Sequence, residues 1–221
     1  MQPMQKTTRL NSHVRCRSTM NNEIQKILND IETGNALDAI EGAKRIAHYS
    51  LTSEQIEVLI KIPISGKELH NKEAATYALS SVVNSDKCLI ALIELLDSSK
   101  NHEEIRGRAA EGIGILPMHS ERLREKAEKV LIRSLKDPSP VVRFWSCYGV
   151  GQKGLKNAIP ILEGLKSSDT DICPGWWYVS EEAEDAIAWI NGRDGKDRIP
   201  VKDRKITEPE NSADPKGRAA D

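Results

Sequence analysis

The chain has 221 residues, 38% of them hydrophobic and 29% charged, but only one Phe, four Trp and four Tyr. Large globular cores lean on aromatic side chains for buried area, so this composition points to thin stacked helices filled by Leu, Ile, Val and Ala. A net charge of −1 and a pI of about 6.5 argue against a generally basic nucleic-acid binder, and no run approaches the ~20 continuous apolar residues that span a bilayer.

Residues 1–21 contain no Asp or Glu but include Lys6, Arg9, Arg15 and Arg17. They read as a disordered extension ahead of the fold, or as sequence upstream of a start at Met20; their composition also fits a transit peptide. From Asn22, apolar residues at Ile24, Ile27, Leu28 and Ile31 mark one face of a helix that Gly34 ends. Ala36, Ile40, Ala43 and Ala47 predict a second helix, joined so tightly that the pair must be an antiparallel hairpin. Ile56, Leu59 and Ile60 predict a short helix stopping before Pro63, partnered by Ala75, Ala78, Leu79 and Val82. Leu89, Leu92, Ile93 and Leu96 then pair with Ile105, Ala109, Gly112 and Ile113. Leu123, Ala127, Val130, Leu131 and Leu135 pair with Val142, Ser146, Gly149 and Val150. The last hairpin joins Ile159, Leu162 and Leu165 to Val179, Ala183, Ala186, Ile187 and Ile190. Five helical hairpins over 22–191, with no strand, predict an all-α superhelix.

Spacing supports this reading. Gly112-Ile113-Gly114 recurs 37 residues later as Gly149-Val150-Gly151, and 37 later again as Ala186-Ile187-Ala188. Small residues at these places let second helices approach one another closely, and units of this length that bury a face only against their neighbours define a solenoid. The run Asp137-Pro138-Ser139-Pro140-Val141-Val142-Arg143, followed by Asn157-Ala158-Ile159-Pro160-Ile161-Leu162, resembles a HEAT repeat of the short kind also found in phycobilisome-lyase-like proteins. The resemblance implies that Asp137 caps the second helix and that Arg143 pairs with acidic groups along the stack; Asp97 and Arg106 match the same positions less well. It specifies a fold more than an activity.

After Gly192 the apolar pattern stops. Residues 192–221 lack aromatics and carry Pro200, Pro209 and Pro215, so they read as a disordered tail, with 193–205 able to lie along the last repeat. Cys16, Cys88, Cys147 and Cys173 are far apart without a CxxC pair and read as reduced thiols of a cytoplasmic protein.

All four Trp and the only Phe fall between 144 and 189. Phe144 and Tyr148 lie one turn apart on the second helix of their unit, and Cys173-Pro174-Gly175-Trp176-Trp177-Tyr178 lengthens the last inter-helix loop, with Ser180 as the expected N-cap. These rings either cap the end of the solenoid or form an anchor patch for a partner. The expected partner-binding residues are Arg143, Phe144, Tyr148, Trp176, Trp177 and Tyr178. His102-Glu103 is a single pair where HEAT-repeat di-iron hydroxylases use several, so no metal or other cofactor is expected. The charged run from Glu121 to Arg133 reads as a solvated convex face. The preferred function is a non-enzymatic scaffold that binds a protein partner, without a membrane or a small-molecule substrate. The alternative is a HEAT-like DNA-binding protein or alkylpurine DNA glycosylase, in which Trp145, Trp176 and Trp177 would work with Asp169 or Asp171. Mixed and acidic second helices disfavour it, because DNA binding needs many Lys and Arg contacts to phosphate. A bilin-lyase role has no chromophore-specific signal.

Overall fold

The computed structural model describes residues 6–83 and 85–204, with side chains from Thr19 onward. Cys16 and the tail beyond residue 204 therefore lie outside the described side chains. Ten α-helices are present among the described residues, and no β-strand. They form five consecutive hairpins: α1 (Lys6–Thr33) with α2 (Ala36–Ile46), α3 (Ser53–Ser65) with α4 (Leu69–Ser81), α5 (Asp86–Asp97) with α6 (Glu103–Ile115), α7 (Glu121–Ser134) with α8 (Pro140–Gln152), and α9 (Ile159–Ser168) with α10 (Val179–Ile190). The chain is an α-α superhelical repeat solenoid.

Helix starts follow local chemistry. The Asn35 side chain accepts from the N–H groups of Leu37 and Asp38, and Thr52 with Gln55 forms a reciprocal capping box for α3. His102 caps α6 by accepting the Glu104 N–H at 3.3 Å, so the His-Glu pair serves a helix start. Asn71, only 2% exposed, donates to the carbonyls of Ile31 and Gly34 and closes the end of α1 from the next hairpin.

The second helices (α2, α4, α6, α8, α10) pack on one another far more extensively than the first helices do. Spacing is tightest along that row, so the stack curves towards it. The small residues permit this approach. A Cβ added at Gly114 would lie 2.8 Å from the Gly149 Cα, and one added at Gly151 would lie 2.9 Å from the Ala186 Cα. Each triplet thus meets the next one diagonally, the third position of one unit against the first of the following unit.

Several expectations need correction. On α2 the buried stripe is Ala39, Gly42, Ala43 and Ile46, whereas Ala36 and Ala47 are exposed. Pro63 does not end α3, which runs on to Ser65 with Pro63 buried. In the last turn the missing N–H forfeits one hydrogen bond, and Gly66 still bonds to the Ile62 carbonyl at 2.8 Å. Helix α1 spans Lys6–Thr33, and its expected stripe of Ile24, Ile27, Leu28 and Ile31 is buried. Helix α10 starts at Val179 with Tyr178, not Ser180, as its cap residue, and the Glu181 carboxylate accepts the Tyr178 N–H at 3.2 Å.

The chain beyond Gly192 stays on the fold up to Arg204. Arg198 bonds both oxygens of Asp185 (2.7 and 2.9 Å), the Glu184 carboxylate (2.9 Å) and the Glu181 carbonyl (2.9 Å), while the Lys196 N–H donates to Asp185 at 3.0 Å. Lys196 and Arg198 hold the Glu184 carboxyl down at about 2. Arg204 adds a bond to Glu181 at 2.7 Å and lies over the Tyr178 ring.

Candidate functional site: an aromatic cleft between the last two second helices

The loop from Asp171 to Tyr178 is a tight hairpin. Pro174 and Gly175 occupy its turn, Gly175 has φ +83°, and the Trp176 N–H closes it on the Cys173 carbonyl at 2.9 Å. A positive φ at that place is what a Pro-Gly type II turn requires. The Cys173 N–H bonds the Trp177 carbonyl (3.1 Å) and the Val179 N–H bonds the Asp171 carbonyl (2.9 Å), which fixes two adjacent indoles against α8 and α10. The strap after α10 ties in as well, through Val201 N–H to the Trp176 carbonyl at 2.9 Å.

The rings meet edge to face. Trp145 and Trp176 lie 5.3 Å apart at 82°, Trp145 and Tyr148 5.8 Å apart at 79°, and Tyr148 and Trp189 5.8 Å apart at 86°. Each such pair contributes about 0.5–1.5 kcal/mol beyond buried area. Planes set at near right angles build walls rather than a pile, and they enclose a cleft of about 360 Å³. Phe144 is 1% exposed and forms its floor; Trp176 is 38% exposed and forms its lip. The acidic and basic residues at the cleft are Glu111, Glu182, Asp185 and Lys196.

Glu182 is the informative member. It is 2% exposed, and its carboxyl receives one hydrogen bond, from Trp177 Nε1 at 2.9 Å. Burial among the rings pushes this carboxyl up to about 8; Asp185 adds to the rise, while the Trp177 bond and Arg198 oppose it. The folded chain therefore holds a proton that the unfolded chain, with an ordinary value near 4.5, has released. Stability is expected to fall as pH rises between those two values. Glu182→Gln keeps an acceptor for Trp177 and abolishes the titration. Urea denaturation at pH 5 and pH 8 should give a smaller stability loss in the variant, by about 1 kcal/mol or more. Equal pH slopes for variant and parent would contradict this.

The structure brings together Phe144, Tyr148, Trp176 and Trp177, but Arg143 and Tyr178 sit elsewhere. Arg143 bonds Asp169 (2.7 Å) and Asp171 (2.6 Å) and donates to the Asp137 and Pro138 carbonyls. One unit earlier Arg106 pairs with Asp137, whose other oxygen accepts the Ser139 N–H at 2.9 Å at the start of α8. The two arginines form a ladder joining successive units, so Arg143 is a stack residue. Tyr178 lies beneath Arg204. Asp169 and Asp171 are committed to Arg143, and the acids beside the indoles are Glu182 and Asp185 instead. In the sequence Glu182 stands among the acids of α10, yet it lies three residues after Val179 and four before Ala186, on the apolar stripe.

The described thiols, Cys88, Cys147 and Cys173, are buried and unpaired, and burial pushes each above the usual range, Cys173 to about 12. Among the described residues no helix is long and apolar enough to cross a membrane.

A model of the HEAT-repeat family matches residues 89–173, from α5 into the α9–α10 loop. The chain is similar to the crystal structure of an engineered protein, at 19% identity over 76% of this chain and 79% of that one, with a TM-score of 0.45. It is also similar to a designed armadillo repeat protein in complex with a (KR)4 peptide, at 19% identity over 85% of this chain and 95% of that one, with a TM-score of 0.47. No curated protein matches.

Proposed function

We propose that this chain is a non-enzymatic scaffold of the cytoplasm that binds a protein partner along the row of second helices, with the aromatic cleft as its anchor point. The observation that carries the reading is a cleft walled by Tyr148, Trp176, Trp177 and Trp189 on the inner side of the stack, with the Trp176 indole left part-exposed. Aromatic anchors in partly desolvated pockets dominate interface energetics. Arg143 and Phe144 support the site from behind, through the charge ladder and the floor. The cleft lining offers one cation, Lys196, which Glu184 holds, so the nucleic-acid reading gains no support there.

Trp176→Ala is the cleaner test, since Trp177→Ala would also strip Glu182 of its donor. The variant should retain helical content and lose partner capture by tenfold or more. A photo-crosslinking residue at Trp176 should yield a discrete protein adduct in host lysate treated with nuclease, whereas one at Lys126 on α7 should not. Adducts of equal yield from both positions, or undiminished capture by Trp176→Ala, would sink the reading.

A further inference from the structure

The cleft joins two features: walls of aromatic rings, and a buried acid that receives a single hydrogen bond. The aromatic wall is continuous from Trp176 through Trp145 and Tyr148 to Trp189, each junction near perpendicular. Ring faces are electron-rich and attract cations, most effectively those shed of water. Arg108 already demonstrates the attraction at the margin, with its guanidinium 5.6 Å from the Trp145 ring centre.

Hydrogen-bond capacity at the site then decides which cation fits. Both Asp185 oxygens are taken, by Arg198 and by the Lys196 N–H. Glu111 is engaged by Arg108 at 2.7 Å, and the Lys196 ammonium is held by Glu184 at 2.7 Å. Glu182, with its single bond from Trp177, and Glu111, with its single bond from Arg108, keep acceptor capacity, and Glu182 is the fully buried one of the two. A primary ammonium brings three donors and a guanidinium five, each needing an aligned acceptor that a wall of ring faces does not supply. A quaternary ammonium brings charge and no donor.

We infer that the cleft is a binding site for a quaternary ammonium group, held by the indole and phenol faces of Trp145, Trp176, Tyr148 and Trp189 with the Glu182 carboxylate as its counter-charge. The inference rests on reading this cleft as the partner-facing site, and it names the chemistry of what enters. Such a group is carried either by a small molecule of the choline kind or by a trimethylated lysine of a protein.

The protonation of Glu182 gives the site a pH dependence. The groups facing that carboxyl are Trp177, with Cys173, from the loop; Asp185 from α10; Cys147 and Tyr148 from α8; Glu111 and Arg108 from α6; and Lys196 and Arg198 from the strap. With the empty site's carboxyl raised to about 8, a bound cation favours its ionised form, so binding near pH 7 releases a proton and tightens as pH rises to 8.5.

The test uses the full chain and defined probes. Tetramethylammonium and choline should quench Trp fluorescence saturably. The neutral isostere of choline, 3,3-dimethyl-1-butanol, should bind at least tenfold more weakly. Glu182→Gln and Trp176→Ala should each weaken choline tenfold or more while helical circular dichroism stays unchanged, and calorimetry in buffers of different ionisation enthalpy should report proton release. A trimethyl-lysine peptide binding tighter than choline, with the unmodified peptide at least tenfold weaker, assigns the group to a protein; choline binding tighter assigns it to a small molecule. No saturable response from the folded parent, or equal affinity for choline and its neutral isostere, overturns the inference. These measurements are independent of partner capture: a crosslinked partner without cation binding would leave the scaffold standing and remove only the ammonium site.

Discussion

Arg198→Met is expected to destabilise the protein by about 3–5 kcal/mol at pH 7, the range for removing one partner from a buried ion pair. Arg198 is 8% exposed at its side chain, and it is the common partner of Glu181, Glu184 and Asp185, the last only 3% exposed. Methionine keeps much of the stem's volume but leaves Asp185 with one bond, from the Lys196 N–H. The strap can relieve part of the penalty by peeling off and admitting water, which would place the loss near the lower end. Limited proteolysis would reveal that route as new cleavage between Gly192 and Lys202. Arg198→Lys should lose less, because a point charge can still reach one carboxylate but cannot span three. The double variant with Asp185→Asn should recover part of the loss, since no uncompensated charge is then buried. A urea midpoint for Arg198→Met at the parental value would show that the strap contributes nothing to the fold.

This strap marks where sequence reading stops. Its composition offers little apolar area, and Ile199 is itself 58% exposed, so hydrophobic burial alone gives no reason for order. What orders it is matched charge from a helix ending only a few residues earlier, and complementarity of that kind has no period to read. The stripe on α10 was legible because Val, Ala and Ile recur there at three- and four-residue spacing among Glu and Asp, and every apolar position expected on it is buried; α6 and α8 were legible through the repeated small-residue triplets. On α2 two stripes compete, and the true one runs through Gly42, whose added Cβ would stand 3.1 Å from Ile31 Cγ1. A hydrophobicity count gives glycine no credit for letting a neighbour approach. Cleft rings were legible as a cluster, since their crowding into residues 144–189 is a feature of the sequence itself. Their division into floor, wall and lip was not, because it depends on where the α9–α10 loop folds back.

Gly114→Ala should cost about 1–3 kcal/mol, the range for overpacking a close-fitted contact, although alanine is the better helix former by about 1 kcal/mol. The added Cβ would stand 2.8 Å from the Gly149 Cα. No rotamer change can move a backbone atom, so α6 and α8 must separate. Gly164 on α9 provides the control: nothing lies within 4 Å of its added Cβ, and Gly164→Ala should instead stabilise by about 0.5–1 kcal/mol. Opposite signs from one chemical change at two helical glycines would isolate helix spacing from helix propensity. The consequence also reaches the cleft. The same Cβ would sit 3.5 Å from Tyr148 Cδ1, and α6 carries the Arg108 that lies over Trp145. Separating α6 from α8 therefore moves one wall relative to another, and Gly114→Ala should weaken whatever the cleft binds even under conditions where the variant is fully folded. Gly114→Val should do both more severely. Equal denaturation midpoints for the Gly114 and Gly164 variants would mean that the second-helix row has slack, and that the small-residue triplets do not set the curvature on which the cleft depends.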